Sequence, residues 1–197
     1  NPPDRKQDGG VRLFGAEPVR GPDALDNLER LLGALADEGK GAAPEALKIL
    51  VVEDLDAARD IICSYVEGLG YPTVAGDRSA ASALGRLEND VAAASCIITD
   101  IRMPDMDGKE LITRLRHDAR FKHLPIIVLT AYGTADMLID CLRAGASGFL
   151  IKPPKRSDLI RELARAQRIN RRHLDPRLAQ PQEVEELRDL LADRGLV

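Results

Sequence analysis

Aromatic residues are scarce in this chain of 197 residues, which contains no Trp, three Phe and three Tyr. A folded core must therefore be built from aliphatic side chains, and a hydrophobic content of 44% supplies enough of them. The charged content of 30% is typical of a globular protein, whereas a disordered chain would have less to bury. The length predicts one domain with extensions, or two very small domains.

Long apolar runs and a large positive charge are missing too, and each absence excludes a class of protein. No apolar run approaches the roughly 20 residues that cross a bilayer, and the start of the chain lacks a signal-peptide pattern. The net charge of −4 argues against a strongly cationic nucleic-acid binder. We therefore expect a cytoplasmic protein without a membrane partner or a direct nucleic-acid partner.

Cysteine is also rare, since Cys63, Cys96 and Cys141 are widely spaced and odd in number. Each lies among apolar residues, which predicts buried thiols that act as small hydrophobic side chains in a reducing compartment. No disulfide framework is expected from this pattern.

The pattern of residues divides the chain into three parts. Residues 1–45 begin with a tail rich in Pro, Gly and charge, and continue with leucines at helical spacing that predict a short amphipathic helix. Residues 46–172 form the predicted central domain. Residues 173–197 hold a Pro-punctuated linker and a second amphipathic helix with Val184, Leu187 and Leu191 on one stripe. The flanking helices are expected to pack on the central domain or to pair between two protomers, and their short stripes favour the first arrangement.

Strand and helix patterns alternate along the central domain. The predicted strands are Lys48–Val52, Thr73–Gly76, Cys96–Thr99, Ile126–Leu129 and Ser147–Ile151. The predicted helices cover residues 56–68, 79–90, 108–117, 134–144 and 156–172.

The polarity of these strands predicts their places in a sheet. Four of the five runs are continuously apolar, which is typical of strands buried on both faces. The second follows Pro72, which is tolerable at the edge of a sheet or at the start of a strand. Alternating strands and helices give right-handed crossovers and a parallel sheet. We therefore predict an α/β fold of the flavodoxin-like type, with strand order 2-1-3-4-5 and the second strand at an edge.

Polar side chains follow four of the predicted strands. They are Glu53 and Asp54 after the first strand, Asp100 after the third, Thr130 after the fourth and Lys152 after the fifth. Taken singly, each is better explained as a solvated loop residue or a helix cap. Together they place three carboxylates, a hydroxyl and an ammonium at one rim of a parallel sheet, which is where ligands bind.

This set of groups suits phosphoryl transfer. Mg²⁺, or Mn²⁺ in its place, binds carboxylate oxygens, and a carboxylate can act as the nucleophile that forms an acyl phosphate. A lysine and a hydroxyl neutralise charge on the phosphoryl oxygens. The chain has no Gly-rich loop of the GxxxxGK[ST] form, so ATP binding of that kind is not expected.

Four segments resemble the signature blocks of bacterial two-component response-regulator receivers, which are CheY-like domains. They are the residues 49–54, 98–108, 128–131 and 149–153, in family order and spacing, and the resemblance covers about residues 46–172. It implies that Asp100 is the phosphoacceptor and that Glu53, Asp54, Asp100 and the backbone carbonyl of Arg102 bind the metal.

The resemblance also implies roles for residues around the phosphoacceptor. Thr130 and Phe149 match the switch pair, and Lys152 matches the lysine that contacts the phosphate. The Lys152-Pro153 peptide bond matches one that is typically cis. Arg102 and Tyr132 match two variable positions that tune the lifetime of the phosphate.

The implied function is a phosphorelay switch rather than an enzyme with its own substrate. A histidine kinase or a histidine phosphotransfer protein would supply the phosphoryl group, and a downstream protein would bind the face formed by the fourth helix, fifth strand and fifth helix. The basic segment Lys155–Arg172 is predicted to be a solvated helix face.

Two other interpretations of the chain stay open. In the first interpretation, the chain is the receiver part of a transcription regulator or a hybrid histidine kinase whose output domain lies outside this chain. Alternatively, it is a magnesium-dependent aspartyl-phosphate hydrolase, whose nucleophile would be Asp54 with Asp56 two residues on.

Overall fold

The computed structural model describes residues 47–71 and 73–197, apart from the side chain of Thr73. The tail and helix expected in residues 1–45 lie outside the described residues, as does Pro72. The strands are β1 (Lys48–Val52), β2 (Thr73–Asp77), β3 (Cys96–Thr99), β4 (Ile126–Thr130) and β5 (Gly148–Ile151). The helices are α1 (Asp56–Gly68), α2 (Ala80–Asn89), α3 (Gly108–His117), α4 (Ala135–Ala144), α5 (Arg156–Arg172) and α6 (Pro181–Ala192).

The strands form one parallel sheet in the order β2-β1-β3-β4-β5. The predicted flavodoxin-like fold is therefore confirmed, and β2 lies at an edge as the proline before it indicated. All residues of β3 and β4 are buried, as is β1 beyond Lys48. The prediction of burial on both faces was wrong for β5, because Phe149 is half-buried and Ile151 is exposed. The reason is that β5 forms the second edge of the sheet.

Successive residues of the central strands point to opposite faces, and each face has its own aliphatic core. One face packs on α1 and α5, through residues such as Ile62, Val66, Leu159 and Leu163. The other face packs on α2, α3 and part of α4. This three-layer arrangement needs almost no aromatic side chains, in agreement with the composition.

Side-chain caps explain where several helices begin. Ser79, Asp107 and Thr134 each accept a hydrogen bond from a backbone N–H in the first turn of α2, α3 and α4. The predicted helices at 79 and 134 therefore started one residue early, on the cap itself. Helix α4 ends at Ala144 and is capped by Gly145, whose φ of 98° lies in the left-handed region that glycine adopts without strain.

Helix α6 packs against α4, so the predicted C-terminal amphipathic helix is confirmed. Val184, Leu187 and Leu191 are buried there as the spacing predicted. This helix contacts the body of its own chain, which is the first of the two arrangements expected from its sequence.

Two of the three cysteines are buried, as expected from the sequence. The three cysteines are free, and burial raises the pKa of the Cys96 and Cys141 thiols to about 12. Full burial was wrong for Cys63, which is half-buried because it flanks the stripe that Ile62 and Val66 make on α1. Within residues 47–71 and 73–197, every helix is too short or too polar to cross a bilayer.

Candidate functional site

Asp100 lies at the C-terminal end of β3, near the middle of the sheet. Its backbone N–H donates to the carbonyl of Val52 at 2.9 Å, which continues the pairing of β3 with β1. Its Oδ1 accepts from the N–H of Ile101 at 2.6 Å, and the side chain is 12% exposed. The carboxylate is therefore fixed in position, with one oxygen free to face other groups at the rim.

Glu53 and Asp54 follow β1, the strand next to β3. The backbone of Glu53 donates to the carbonyl of Asp77 at 3.0 Å, and its side chain is only 1% exposed. Glu53, Asp54 and Asp100 each offer a carboxylate oxygen, and these oxygens all lie within 4.8 Å of one another. Three converging carboxylates repel one another unless cations lie between them, and their hard oxygen donors suit Mg²⁺ or Mn²⁺.

Lys152 supplies one such cation from the end of β5. Its Nζ donates to Asp100 Oδ2 at 2.8 Å and to Glu53 Oε2 at 2.5 Å. Partial burial disfavours the ammonium, but the hydrogen bonds and charges of Asp100 and Glu53 outweigh it, so the pKa of Lys152 lies above its ordinary value. The lysine backbone donates to the carbonyl of Thr130 at 2.8 Å, and the Lys152-Pro153 peptide bond is cis.

Thr130 and Phe149 lie on adjoining strands beside this cluster. Thr130 is the last residue of β4 and is fully buried, and its hydroxyl accepts from the N–H of Tyr132 at 3.2 Å. Phe149 pairs with Val128 in the sheet. Its ring packs both on the core beneath α2 and α3 and on the apolar cluster between α4 and α6. The ring therefore joins two packed regions of the protein.

Arg102 and Tyr132 form a stacked pair at the mouth of the site. The Arg102 guanidinium lies 3.8 Å from the centre of the Tyr132 ring, which is a cation–π contact. Tyr132 is 51% exposed, and Arg102 is also exposed. The two residues come from the loops after β3 and β4, so the pair bridges these two loops at the C-terminal rim of the sheet.

The turn from β3 to α3 requires Gly108. A Cβ on this residue would come within 2.2 Å of the backbone oxygen of Asp100, and the N–H of Gly108 donates to the carbonyl of Ile101 at 2.9 Å. Because α3 begins in contact with the backbone of Asp100, the first turn of the helix helps to position that residue.

Sequence reasoning missed the polar groups buried beneath α5. The segment Lys155–Arg172 was expected to be a solvated face, yet Arg165 is 12% exposed and donates to the carbonyl of Ser147. Glu162 is 4% exposed, and burial raises its pKa to about 7 against the opposing charges of Arg165 and Arg161. The spacing contained a clue, because Glu162 falls between Leu159 and Ala166 on the apolar stripe of the helix.

Arg116 on α3 is a second buried charge that the sequence did not indicate. It is 8% exposed and donates to the carbonyls of Gly145, Lys122 and Leu124 and to the hydroxyl of Ser147. Burial lowers its pKa to about 10. This residue fastens α3 to the loop between α4 and β5, on the side of the sheet opposite α5.

Five parallel strands in this order, with three carboxylates and a lysine at their C-terminal rim, define a flavodoxin-like receiver fold. The model of the response regulator receiver domain family matches residues 49–164, so the chain belongs to that family. The resemblance stated from sequence is thereby confirmed. Members of this family are generally regulatory and work between histidine kinases and downstream targets.

Individual relatives agree with this assignment. The response regulator protein FleR of Pseudomonas aeruginosa is 38% identical over 120 residues, which is 61% of this chain and 24% of FleR. The chemotaxis protein CheY1 of Helicobacter pylori is 36% identical over 107 residues, or 54% of this chain and 86% of that protein. A crystal structure of a response regulator receiver protein from Pseudomonas putida has a TM-score of 0.54 and 28% identity, and the match covers 62% of this chain and 97% of that one.

Proposed function

We propose that this chain is a phosphorelay receiver in which Asp100 accepts a phosphoryl group from a phosphohistidine. The observation that carries this proposal is the position of Lys152 between Asp100 and Glu53, at 2.8 Å and 2.5 Å, beside a cluster of three carboxylates. A carboxylate at such a site can act as the nucleophile, and Lys152 offsets part of the negative charge of the cluster.

The transfer exchanges one phosphorus bond for another. An oxygen of Asp100 attacks the phosphorus, an O–P bond forms and the N–P bond to the donor histidine breaks. The imidazole leaves with the electron pair of that bond and takes a proton from solvent. Lys152 remains charged near neutral pH, because its pKa lies above its ordinary value, and it pairs with the phosphoryl oxygens.

A divalent ion fits the same cluster. Glu53, Asp54, Asp100 and the backbone carbonyl of Arg102 would hold Mg²⁺ or Mn²⁺, which supplies charge neutralisation to the phosphoryl oxygens when bound. Glu53 also accepts a hydrogen bond from Lys152, and this contact limits the motion of the lysine. The chain catalyses its own phosphorylation and dephosphorylation and is otherwise regulatory.

The switch that follows uses Thr130 and Phe149. In this proposal the Thr130 hydroxyl turns toward the phosphoryl group and Phe149 fills the space beside it. The face formed by α4, β5 and α5 then changes its affinity for a downstream protein, which is a shift between two populations of the domain. A histidine kinase or histidine phosphotransfer protein in the cytoplasm would be the donor.

The stacked pair of Arg102 and Tyr132 is proposed to set the lifetime of the phosphate. Hydrolysis of the acyl phosphate needs a water molecule in line with the O–P bond. A ring and a guanidinium 3.8 Å apart at the mouth of the site narrow the approach for that water.

Of the alternatives, the hydrolase gains no support from Asp56. This residue would have to act beside Asp54, but it pairs with Arg59, and its side chain is 73% exposed. The chain spans about a quarter of FleR, so a transcription regulator or a hybrid kinase that contains this receiver remains the second proposal for the whole protein. In either case the receiver acts through contacts with protein.

The test is phosphorylation of the full chain by acetyl phosphate with Mg²⁺, measured by intact mass. We expect one phosphoryl group, labile to hydroxylamine, on the native chain and none on the Asp100→Asn variant. The matched control is Asp105→Asn, which makes the same change in the same loop at an exposed residue. The assignment would be refuted if Asp100→Asn were phosphorylated at the native rate. It would also be refuted if Asp105→Asn lost phosphorylation while Asp100→Asn kept it.

A further inference from the structure

We propose that α6 is a displaceable regulatory helix, which covers the outer face of α4 and is released when Asp100 is phosphorylated. This inference rests on the proposed phosphoacceptor function. It adds an element that lies beyond the matched family region, which ends at residue 164. While α6 is docked, a downstream protein that needs the face of α4 has to compete with it.

The contact between α4 and α6 is apolar and complementary. Both helices contribute a stripe of aliphatic side chains, and the linker adds one more. The buried members of this cluster are Ala135, Leu138, Ile139 and Leu142 of α4, Leu178 of the linker, and Val184, Leu187 and Leu191 of α6. Without α6, the α4 stripe would be a contiguous apolar patch in water, which is typical of a docking surface.

Polar contacts fix the register of α6. Arg143 of α4 donates from two nitrogens to the two carboxylate oxygens of Glu185, at 2.7 Å and 2.8 Å. The N–H of Leu178 donates to the carbonyl of Ala146 in the loop before β5. Both Arg143 and Glu185 are about half exposed, so the ion pair orients the helix more than it stabilises it.

Phe149 connects this cluster with the phosphorylation site. It lies on β5, three residues before Lys152, and its half-buried ring packs on the α4–α6 cluster and on the main core. Inward movement of the ring, as the proposed switch requires, withdraws apolar surface from the α4–α6 cluster. Phosphorylation of Asp100 therefore weakens the docking of α6, and by linkage the docking of α6 weakens phosphorylation.

The docking of α6 is weak enough to be switched. A helix of 12 residues has little stability by itself, so α6 depends on its contacts with the rest of the chain. These contacts involve three buried side chains of the helix. Segments with so few buried contacts open locally without global unfolding, and a coupling of typical size is sufficient to change their population.

The test is hydrogen exchange on the full chain, read by mass spectrometry with and without beryllofluoride and Mg²⁺. Amides of α6 should exchange about fivefold faster or more when beryllofluoride is bound. Amides of α2 (Ala80–Asn89), which pack on other elements, serve as the internal reference. Binding itself is read from the fluorine NMR signals of the bound ligand, with Asp100→Asn as the non-binding control.

Two variants loosen α6 without touching the acidic cluster. Glu185→Gln removes the ion pair with Arg143 and should raise α6 exchange about threefold, as expected for an exposed pair. Leu187→Ala removes a buried side chain and should raise it roughly tenfold or more. Both should also tighten beryllofluoride binding. The matched control is Glu186→Gln, because the Glu186 carboxylate contacts Gln182 within α6 itself. This variant should change neither the exchange of the α6 amides nor the affinity for beryllofluoride.

The outcomes separate the inference from the proposed function. If beryllofluoride fails to bind the native chain, the phosphoacceptor function is wrong and the inference falls with it. If it binds but leaves α6 exchange unchanged or slower, the function stands and the inference is refuted. Leu187→Ala gives an independent check, because faster α6 exchange with unaltered beryllofluoride affinity would show that the two sites are not coupled.

Discussion

Glu162 makes the stability of this domain depend on pH in a direction that is unusual for a carboxylate. Its side chain is 4% exposed and lies under β5, where Oε2 would be 2.4 Å from a Cβ placed on Gly148. Two cations lie close to it, Arg161 at 3.9 Å and Arg165 at 4.0 Å, and both are beyond hydrogen-bond distance. Within residues 47–71 and 73–197, its Oε2 has no hydrogen-bond partner. Burial therefore outweighs these charges and raises the pKa of Glu162 from 4.5 to about 7.

The sign of the effect follows from the two pKa values. Between pH 4.5 and about pH 7 the folded protein keeps a proton on Glu162 that the unfolded chain releases. Stability from this group is therefore present below pH 4.5 and is lost as the pH rises through that window. One pKa unit corresponds to about 1.4 kcal/mol. A shift of this size therefore lowers the free energy of unfolding by roughly 3 kcal/mol at a pH where Glu162 is ionised in both the folded and the unfolded chain.

The substitution Glu162→Gln keeps the shape of the side chain and removes its titration. Urea unfolding of the native chain and the variant at about pH 5 and about pH 8 gives four free energies. The stability of the variant relative to the native chain should increase by roughly 2 to 3 kcal/mol between these pH values. Glu67→Gln, an exposed change on α1, should show no such increase. If the free energies of unfolding of Glu162→Gln and the native chain differ by the same amount at both pH values, the reasoning is refuted.

Two further changes test the turn and the stacked pair at the rim. Gly108→Ala should destabilise the domain by roughly 1 to 3 kcal/mol, because its Cβ would meet the backbone of Asp100. Gly85 lies in the interior of α2, and a Cβ added there would meet no described residue outside its own stretch of helix within 4 Å, so Gly85→Ala should instead stabilise the domain by about 0.5 to 1 kcal/mol in the same urea titration. Tyr132→Ala should shorten the half-life of the phosphorylated chain roughly twofold to fivefold, followed by intact mass, and an unchanged half-life would contradict the shielding role.

The sheet and most of its site could be predicted because short-range patterns decide them. Continuous apolar runs of strand length mark the central strands, and parallel strands bring the residues after each run to one rim. This reasoning was enough to expect Asp100 and Lys152 together, although they are 52 residues apart in the chain. Helix starts were predicted to within one residue, and the errors at Ser79 and Thr134 come from counting the cap as part of the helix.

Burial of charged residues could not be predicted, because it depends on which elements cover them. The apolar stripe of α5 gave a clue to Glu162, but its burial comes from β5, which lies against that side of the helix. Arg116 is buried because its side chain reaches the carbonyl of Leu124 in the next loop and the carbonyl of Gly145, which is 29 residues away. The stack of Arg102 on Tyr132 is of the same kind, since nothing local to either loop specifies it. In each case the deciding contact is a long-range one.

The two edges of the sheet have different functions in this molecule. The edge strand β2 carries none of the acidic cluster, and its contribution to the rim is the carbonyl of Asp77 that accepts from Glu53. The edge strand β5 carries Phe149 and leads directly to Lys152, so its position affects both the charge of the site and the packing outside it. An edge strand has a neighbour on one side only, and it can shift with less disruption of the sheet than a central strand. Helix α6 packs on α4 in the apolar cluster that the Phe149 ring also contacts, so a shift of β5 that moves this ring changes the packing of the cluster that holds α6.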